Sequence, residues 1–195
     1  MTKLTDDRLA SIVRRLEMSR LQRMRRDRPS PESLAYYHRL RGDMNAAMLM
    51  PHRRQYDSML ELLSPGDVVL DAGAGDLRFS LMMSQHVERV YAVEFSPETV
   101  WRALRIIGYD LPTNLQVTCA HWDDYPVPDD VTVIIVLVNI SPVYFPREWF
   151  LSGAVVYHGD TWNDEIHEIV LREGATRPVE RPVRPSGRGV AHVQG

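Results

Sequence analysis

Residues Val68 to Phe95 read VVLDAGAGDLRFSLMMSQHVERVYAVEF. The stretch opens on a short apolar run, Val68-Val69-Leu70, that ends on Asp71. Gly73 and Gly75 follow in D-A-G-A-G, then a helical stretch, then a second apolar run, Val90-Tyr91-Ala92-Val93, that ends on Glu94. The order is strand, glycine turn, helix, strand, with an acid at the tip of each strand. Parallel strands joined by a helix bind ligands outside their carboxyl ends, where both acids and the turn fall. Glycines there let the backbone approach a ligand closely. A carboxylate closing the second strand can take two hydrogen bonds from a ribose diol, since it accepts on both oxygens.

A dinucleotide fingerprint would be G-x-G-x-x-G, but Arg78 stands where the third glycine is needed, and no G-x-x-x-x-G-K-[ST] is present. The D-x-G-x-G of Asp71 to Gly75 resembles motif I of the class I S-adenosylmethionine (SAM) methyltransferases, and Glu94 stands where that family has its ribose-binding acid. The resemblance covers roughly residues 55 to 160. It implies SAM as cofactor, held by Asp71, Ala72, Gly73, Ala74 and Gly75 at the turn and by Glu94 at the ribose. SAM carries no phosphate; it is a sulfonium with a zwitterionic methionine tail, so a carboxylate at the loop suits its ammonium. The implied fold is a Rossmann-like three-layer α/β domain with a mostly parallel sheet, here with an N-terminal helical extension. Phe95 either flanks the adenine or plugs the sheet edge. A second reading of the same residues is a Rossmann-like domain that binds a nucleotide and transfers nothing.

The chain has 195 residues, 44% of them apolar, enough for one domain with extensions. Cys119 is the only cysteine, which excludes a disulfide framework and a cysteine-only zinc site. No apolar run approaches the roughly 20 residues of a membrane span, and the polar N-terminus has no signal-peptide core, so the expectation is a cytoplasmic protein with no membrane contact. Net charge is −3, unevenly spread: residues 1–54 hold 13 basic against 6 acidic side chains, and residues 55–195 hold 10 against 20. Lys3 is the only lysine. The arginine bias suits forked contacts to phosphate or carboxylate, and a GC-rich genome gives the same bias.

Three segments follow: a basic helical extension (1–54), a SAM-binding domain (55–176) and a proline-rich tail (177–195). In the extension, Thr5 or Asp6 caps a helix running to about Arg26, with Leu9, Ile12, Val13 and Leu16 on one stripe. Asp27-Arg28-Pro29-Ser30 breaks it, and Ser30-Pro31 restarts a helix through Leu34, Tyr37 and Leu40. This arm reads either as a basic surface for nucleic acid or an acidic partner, or as a helical cap on the domain. Met44, Met48 and Met50 suit a flexible lid or core edge. The next helix, about His52 to Leu63, puts Tyr56, Met59, Leu60 and Leu63 on one face. Tyr36-Tyr37, Met48-Leu49 and Arg54 resemble the segment before motif I in protein arginine methyltransferases, where an arginine six residues after the methionine meets the SAM carboxylate. Arg54 has that spacing, but Pro51 replaces that family's acid and its two-glutamate loop is absent, so only Arg54 carries over, as a SAM contact.

Beyond the second strand, Ser96 caps a helix with Pro97 at its first position, and Gly108 ends it. Leu115–Cys119 reads as a third strand, followed by His121, Trp122 and Asp123, where related enzymes grip adenine with an acid and a backbone amide. His121 occupies the usual acid position; either Asp123 takes the contact from a shifted loop, or His121 and Trp122 supply different chemistry, or the loop is simply polar with Trp122 buried. Val131–Val138, nearly all apolar and β-branched, reads as a central strand with Asn139 at its carboxyl end. Asn139 and Tyr144 weakly resemble the (D/N)-P-P-(Y/F) of amino-methylating nucleic-acid enzymes, which assigns Asn139 to an amine acceptor and leaves water, or a neighbour such as His121 or Tyr144, as base. Asn139 as a turn cap is the alternative. Ala154–Tyr157 is a fifth strand, and Asn163–Glu173 is a helix or a strand. Pro178, Pro182 and Pro185 oppose any central strand, so the ending is expected to be trimmed or irregular, with Val190–Val193 as an edge strand. His158, Asp160 and His167 cluster in sequence without a paired metal-ligand spacing, and no metal is expected. The favoured function is methyl transfer to a small-molecule or protein amine. The alternatives are a nucleic-acid methyltransferase using the arm, and a non-catalytic SAM-binding module. Neither the substrate nor the oligomeric state is legible.

Overall fold

The computed structural model describes residues 4–26, 51–108, 111–137, 142–160, 165–171 and 178–183. Seven strands form one sheet: β1 (Val68–Ala72), β2 (Arg89–Glu94), β3 (Leu115–Cys119), β4 (Val133–Val136), β5 (Val155–Asp160), β6 (Glu165–Val170) and β7 (Val179–Val183). Their spatial order is β3-β2-β1-β4-β5-β6-β7. The first five run parallel; β6 is antiparallel to β5, and β7 to β6. Strands β1 and β4, at the centre, are buried along their whole length, as their unbroken apolar runs require. Order reverses between β1 and β4, so the crevice between their carboxyl ends is the switch point of the sheet.

Helices α1 (Asp6–Arg26), α2 (Pro51–Leu60), α3 (Arg78–Met83) and α4 (Pro97–Ile107) precede or connect the first strands, and α5 (Arg147–Leu151) connects β4 to β5. Local chemistry sets α4: the Ser96 hydroxyl accepts the Thr99 N–H at 3.3 Å, Pro97 sits in the first turn, and Gly108 closes the helix at φ 90°. One core joins α1 through α4 to a face of the sheet, with Ile12 and Leu16 of α1 each only 1% exposed beside Leu81, Met83 and Ala103. The apolar stripe of the first helix is therefore built into the domain core. The opposite face holds Leu70, Val93, Ile134 and Val156, and is covered by Phe145 and Trp149 around the five-residue α5 and by the 3-10 turn Trp122–Asp124. Among the described residues the helical layers are thus unequal: four helices on one face, one short helix on the other.

The chain end departs from expectation. The ambiguous run is a strand, β6, and β7 lies inside the stretch expected to be tail, so seven strands are present rather than a trimmed set. Pro182 is tolerated because β7 is the outermost strand, where a missing N–H leaves no inner neighbour unpaired. Val190–Val193 lies outside the described residues, as do Tyr36, Tyr37, Met44, Met48 and Met50. The central strand is shorter than its apolar run, ending at Val136. No helix among the described residues is long and apolar enough to cross a membrane.

Candidate functional site

The turn after β1 folds back onto the tip of β2. The N–H groups of Gly73 and Ala74 both donate to the Val93 carbonyl, at 2.8 and 2.9 Å. Gly73 and Gly75 adopt φ of 84° and 57°, a conformation open to glycine at little steric cost. The Glu94 carboxylate then ties the turn together: Oε2 accepts from the Gly75 N–H and Oε1 from the Ser96 N–H, each at 2.9 Å. Glu94 is 6% exposed and still lines the crevice.

Asp71 lies beneath the turn, 3% exposed, and its Oδ2 accepts from the Ser80 hydroxyl of α3 at 2.5 Å. Burial pushes its carboxyl up to about 7; the Ser80 bond opposes that, and the charges of Glu94 and Asp76 add to it. Asp76 accepts from Arg78 Nε at 2.8 Å through Oδ1, while its buried Oδ2 has no hydrogen-bond partner. Leu77, which starts α3, sits at φ 65° with its side chain fully buried. A branched residue in left-handed geometry is uncommon and is held there by its surroundings.

A cavity of about 280 Å³ opens beside the turn, lined by Gly73, Val93, Glu94, Phe95, Ala120, His121 and Trp122. Phe95 is 68% exposed. His121 precedes the 3-10 turn, and its Nδ1 accepts the Asp123 N–H at 3.3 Å. Asp123 Oδ2 is also 3.3 Å from Nδ1. A nitrogen that accepts an amide N–H has no proton to give the carboxylate, so the amide bond describes the neutral ring and Nε2 then carries the proton. Aromatic contacts continue from the cavity across the thin face of the sheet: Phe95–His121, His121–Trp122, Trp122–Trp149, Trp149–Phe145 and Phe145–His158, with centroids 5.4 to 6.3 Å apart.

Gly73, Glu94, Phe95, His121 and Trp122 thus share one cavity, with Ala74 and Gly75 on the turn beside it. Asp71 and the fully buried Ala72 support the turn from below. Asp123 is exposed on the adjoining 3-10 turn. Tyr144 is 68% exposed on a second 3-10 turn, Pro142–Tyr144, and is not part of the cavity lining. Arg54 falls in α2 with its side chain outside the described set, and Asn139 lies outside the described residues altogether. Sequence reading missed Asp76, Ser80 and Ser96 N–H as partners of the acids. Nothing in the local sequence signals the Ser80–Asp71 bond, which depends on α3 packing over β1. No group of three or more His, Cys, Asp or Glu able to hold a metal occurs among the described residues.

No protein-family model and no curated protein matches the chain. Solved structures similar to it include the YcgJ protein of Bacillus subtilis (24% identity over 44% of this chain and 38% of that one, TM-score 0.40). A tRNA (m1A58) methyltransferase, TrmI, of Aquifex aeolicus is 18% identical over 67% of this chain and 62% of that one, with TM-score 0.46. A SAM-dependent methyltransferase of Geobacter sulfurreducens, in complex with S-adenosyl-L-homocysteine, is 14% identical over 57% and 48%, with TM-score 0.44. The chain spans less than two thirds of the length of each. These are likenesses of chain path.

Proposed function

We propose that the chain is a SAM-dependent methyltransferase. The observation that carries this reading is Glu94 at the tip of β2. A carboxylate offers about four acceptor positions; the Gly75 and Ser96 amides use one on each oxygen. That leaves one on each oxygen for the two hydroxyls of a ribose, at the edge of a cavity suited to a nucleoside. No diphosphate site competes, since the turn carries acids where a phosphate would need donors and cations. Phe95, His121 and Trp122 offer ring faces and edges for adenine. With Nδ1 engaged, His121 presents an Nε2–H donor to the cavity and orients a ligand rather than taking a proton. Arg54 is assigned to the ligand's carboxylate.

SAM supplies, when bound, an electrophilic methyl group. The chain's own task is to hold the acceptor in line with that methyl at about 3 to 3.5 Å and with its lone pair free. Asn139 is assigned to an acceptor N–H, through its amide oxygen, and Tyr144 to the acceptor side of the crevice. The acceptor favoured is an amine of a small molecule or a protein. A nucleic-acid acceptor is the second reading, supported by Arg14 and Arg15, which stand exposed on α1 while Ile12 and Leu16 anchor it. Titration calorimetry with SAM, S-adenosylhomocysteine and NAD tests the core of the proposal. Binding of the first two and not the third is expected, and Glu94→Ala should weaken SAM by about 1.5–3 kcal/mol, the scale of hydrogen bonds to a charged group. Preferential NAD binding would end this reading.

A further inference from the structure

Three carboxyl groups meet at the turn after β1, and the described residues around them give little positive charge. Asp71 is held by a neutral hydroxyl, and Glu94 by two neutral amides. Among the described residues only Asp76 of the three has a cation against it, the Arg78 guanidinium on Oδ1, and its Oδ2 is buried without a hydrogen bond. The remaining surroundings of Asp71 do not offset this. In register, it lies between Ala92 of β2 and Ile135 of β4, both apolar and fully buried. α3 contributes Ser80 and Arg78, and across the cavity stands the half-exposed His121. Packing alone does not call for an acid at Asp71: an apolar side chain would fill a 3%-exposed strand position without desolvating a charge.

We propose, on the basis of the methyltransferase reading above, that Asp71 together with Glu94 and Asp76 selects the cationic cofactor over its uncharged-sulfur product, and that Asp71 gives up a proton as the cation binds. Neighbouring acids in a dry site resist ionising together, and an incoming positive charge removes that resistance. SAM and S-adenosylhomocysteine share the ammonium, the carboxylate and the adenosine. They differ by a methyl and by the sulfonium charge, so the ratio of their affinities isolates the response to that charge. Asp71 lies beneath the turn and acts on the cavity through its field: with Asp71 largely protonated in mild acid that field is less negative, and once Asp71 ionises it attracts the sulfonium more strongly. Preference for SAM therefore rises with pH, and the spent product is held less well than the cofactor where the acid is ionised.

The experiment is a pair of calorimetric titrations, SAM and S-adenosylhomocysteine, on the full chain from about pH 5.5 to about pH 8.5. The SAM-to-product affinity ratio should rise by about threefold to tenfold across that range, the scale of one added charge in a partly screened site. In Asp71→Asn the ratio should be flat. His121 also lines the cavity, and a positive charge on it would repel a cation with the same sign. The variant His121→Gln should therefore keep the slope; a slope lost there and kept in Asp71→Asn would overturn the proposal. On unmodified protein near pH 7, the binding heats in phosphate and in Tris should report more protons released by SAM than by the product. Equal proton release, or a constant ratio with both ligands bound, would sink the charge selection and leave the cofactor assignment standing. Failure of both ligands to bind would remove the cofactor assignment and this inference together.

Discussion

Replacing Asp71 with asparagine should make the ligand-free protein more stable at neutral pH, although it alters the most deeply placed acid of the site. The buried carboxyl is pushed from 3.8 up to about 7. A carboxyl whose folded-state value is raised binds more protons folded than unfolded between those two values. Stability therefore falls as pH rises from about 4 to about 7, and this group contributes no further slope above or below that window. Each unit corresponds to about 1.4 kcal/mol, so the whole shift amounts to about 4 kcal/mol lost on going from mild acid to neutrality. Asparagine keeps an oxygen for the Ser80 hydroxyl and carries no titrating proton. Its amide N–H groups need an acceptor, which offsets about 1–3 kcal/mol of the gain. The variant should thus be less stable than the parent near pH 4.5 and more stable near pH 8. Urea unfolding of both proteins at several pH values, with midpoints and slopes compared, gives the difference curve. A difference that stays flat across the window would show that Asp71 is not held neutral by burial, and the electrostatic account of the turn would fail with it.

Leu77 offers a test of backbone strain. Leu77→Ala should cost about 2–5 kcal/mol for the lost burial. Leu77→Gly should cost no more than that, since it relieves a left-handed conformation worth about 1–2 kcal/mol; urea midpoints ranking glycine well below alanine would refute the strain. Ile12→Ala and Leu16→Ala should each destabilise by about 2–4 kcal/mol, as core residues do, and deletion of residues 1–26 should abolish cooperative unfolding by circular dichroism; an unchanged melting curve would show that α1 is dispensable. Phe95→Ala should leave stability within about 0.5 kcal/mol, because the ring is exposed, while weakening SAM in calorimetry; equal affinity would assign the ring to the surface alone.

Much of the parallel half of the sheet was legible because local signals and tertiary demands agree there. The D-A-G-A-G turn, the Ser96 and Gly108 caps and the apolar run of β4 each specify one local conformation, and the sheet uses all of them. The first helix was ambiguous because its arginines and its apolar stripe suggest different roles. Burial of Ile12 and Leu16 settles that the stripe belongs to the core, and leaves Arg14 and Arg15 at the surface. The chain end was hard for the opposite reason. Glu165–Val170 is too short for its apolar spacing to separate helix from strand, and prolines argue against a strand only where both neighbours are needed. As the outermost strand, β7 escapes that argument.

The features that break local rules gather in one place. Asp71 is an acid buried without a cation among the described residues, Asp76 keeps an unpartnered oxygen, and Leu77 holds a backbone conformation suited to glycine, all within seven residues of one another. Buried side-chain atoms without a hydrogen bond occur elsewhere too, on Gln55, Arg102 and His167, but none of these coincides with a left-handed non-glycine backbone. Evenly spread strain would suggest a marginal fold. A strained backbone beside two unusual buried acids at the switch point of a parallel sheet points instead to a demand made by a ligand, which a stability-driven sequence would have removed. The same reasoning explains why the turn could be located from sequence while its partners could not. Glycines and strand-tip acids are visible in the chain order, whereas the Ser80 bond to Asp71 and the Gly75 bond to Glu94 exist only once α3 and β2 are packed beside β1.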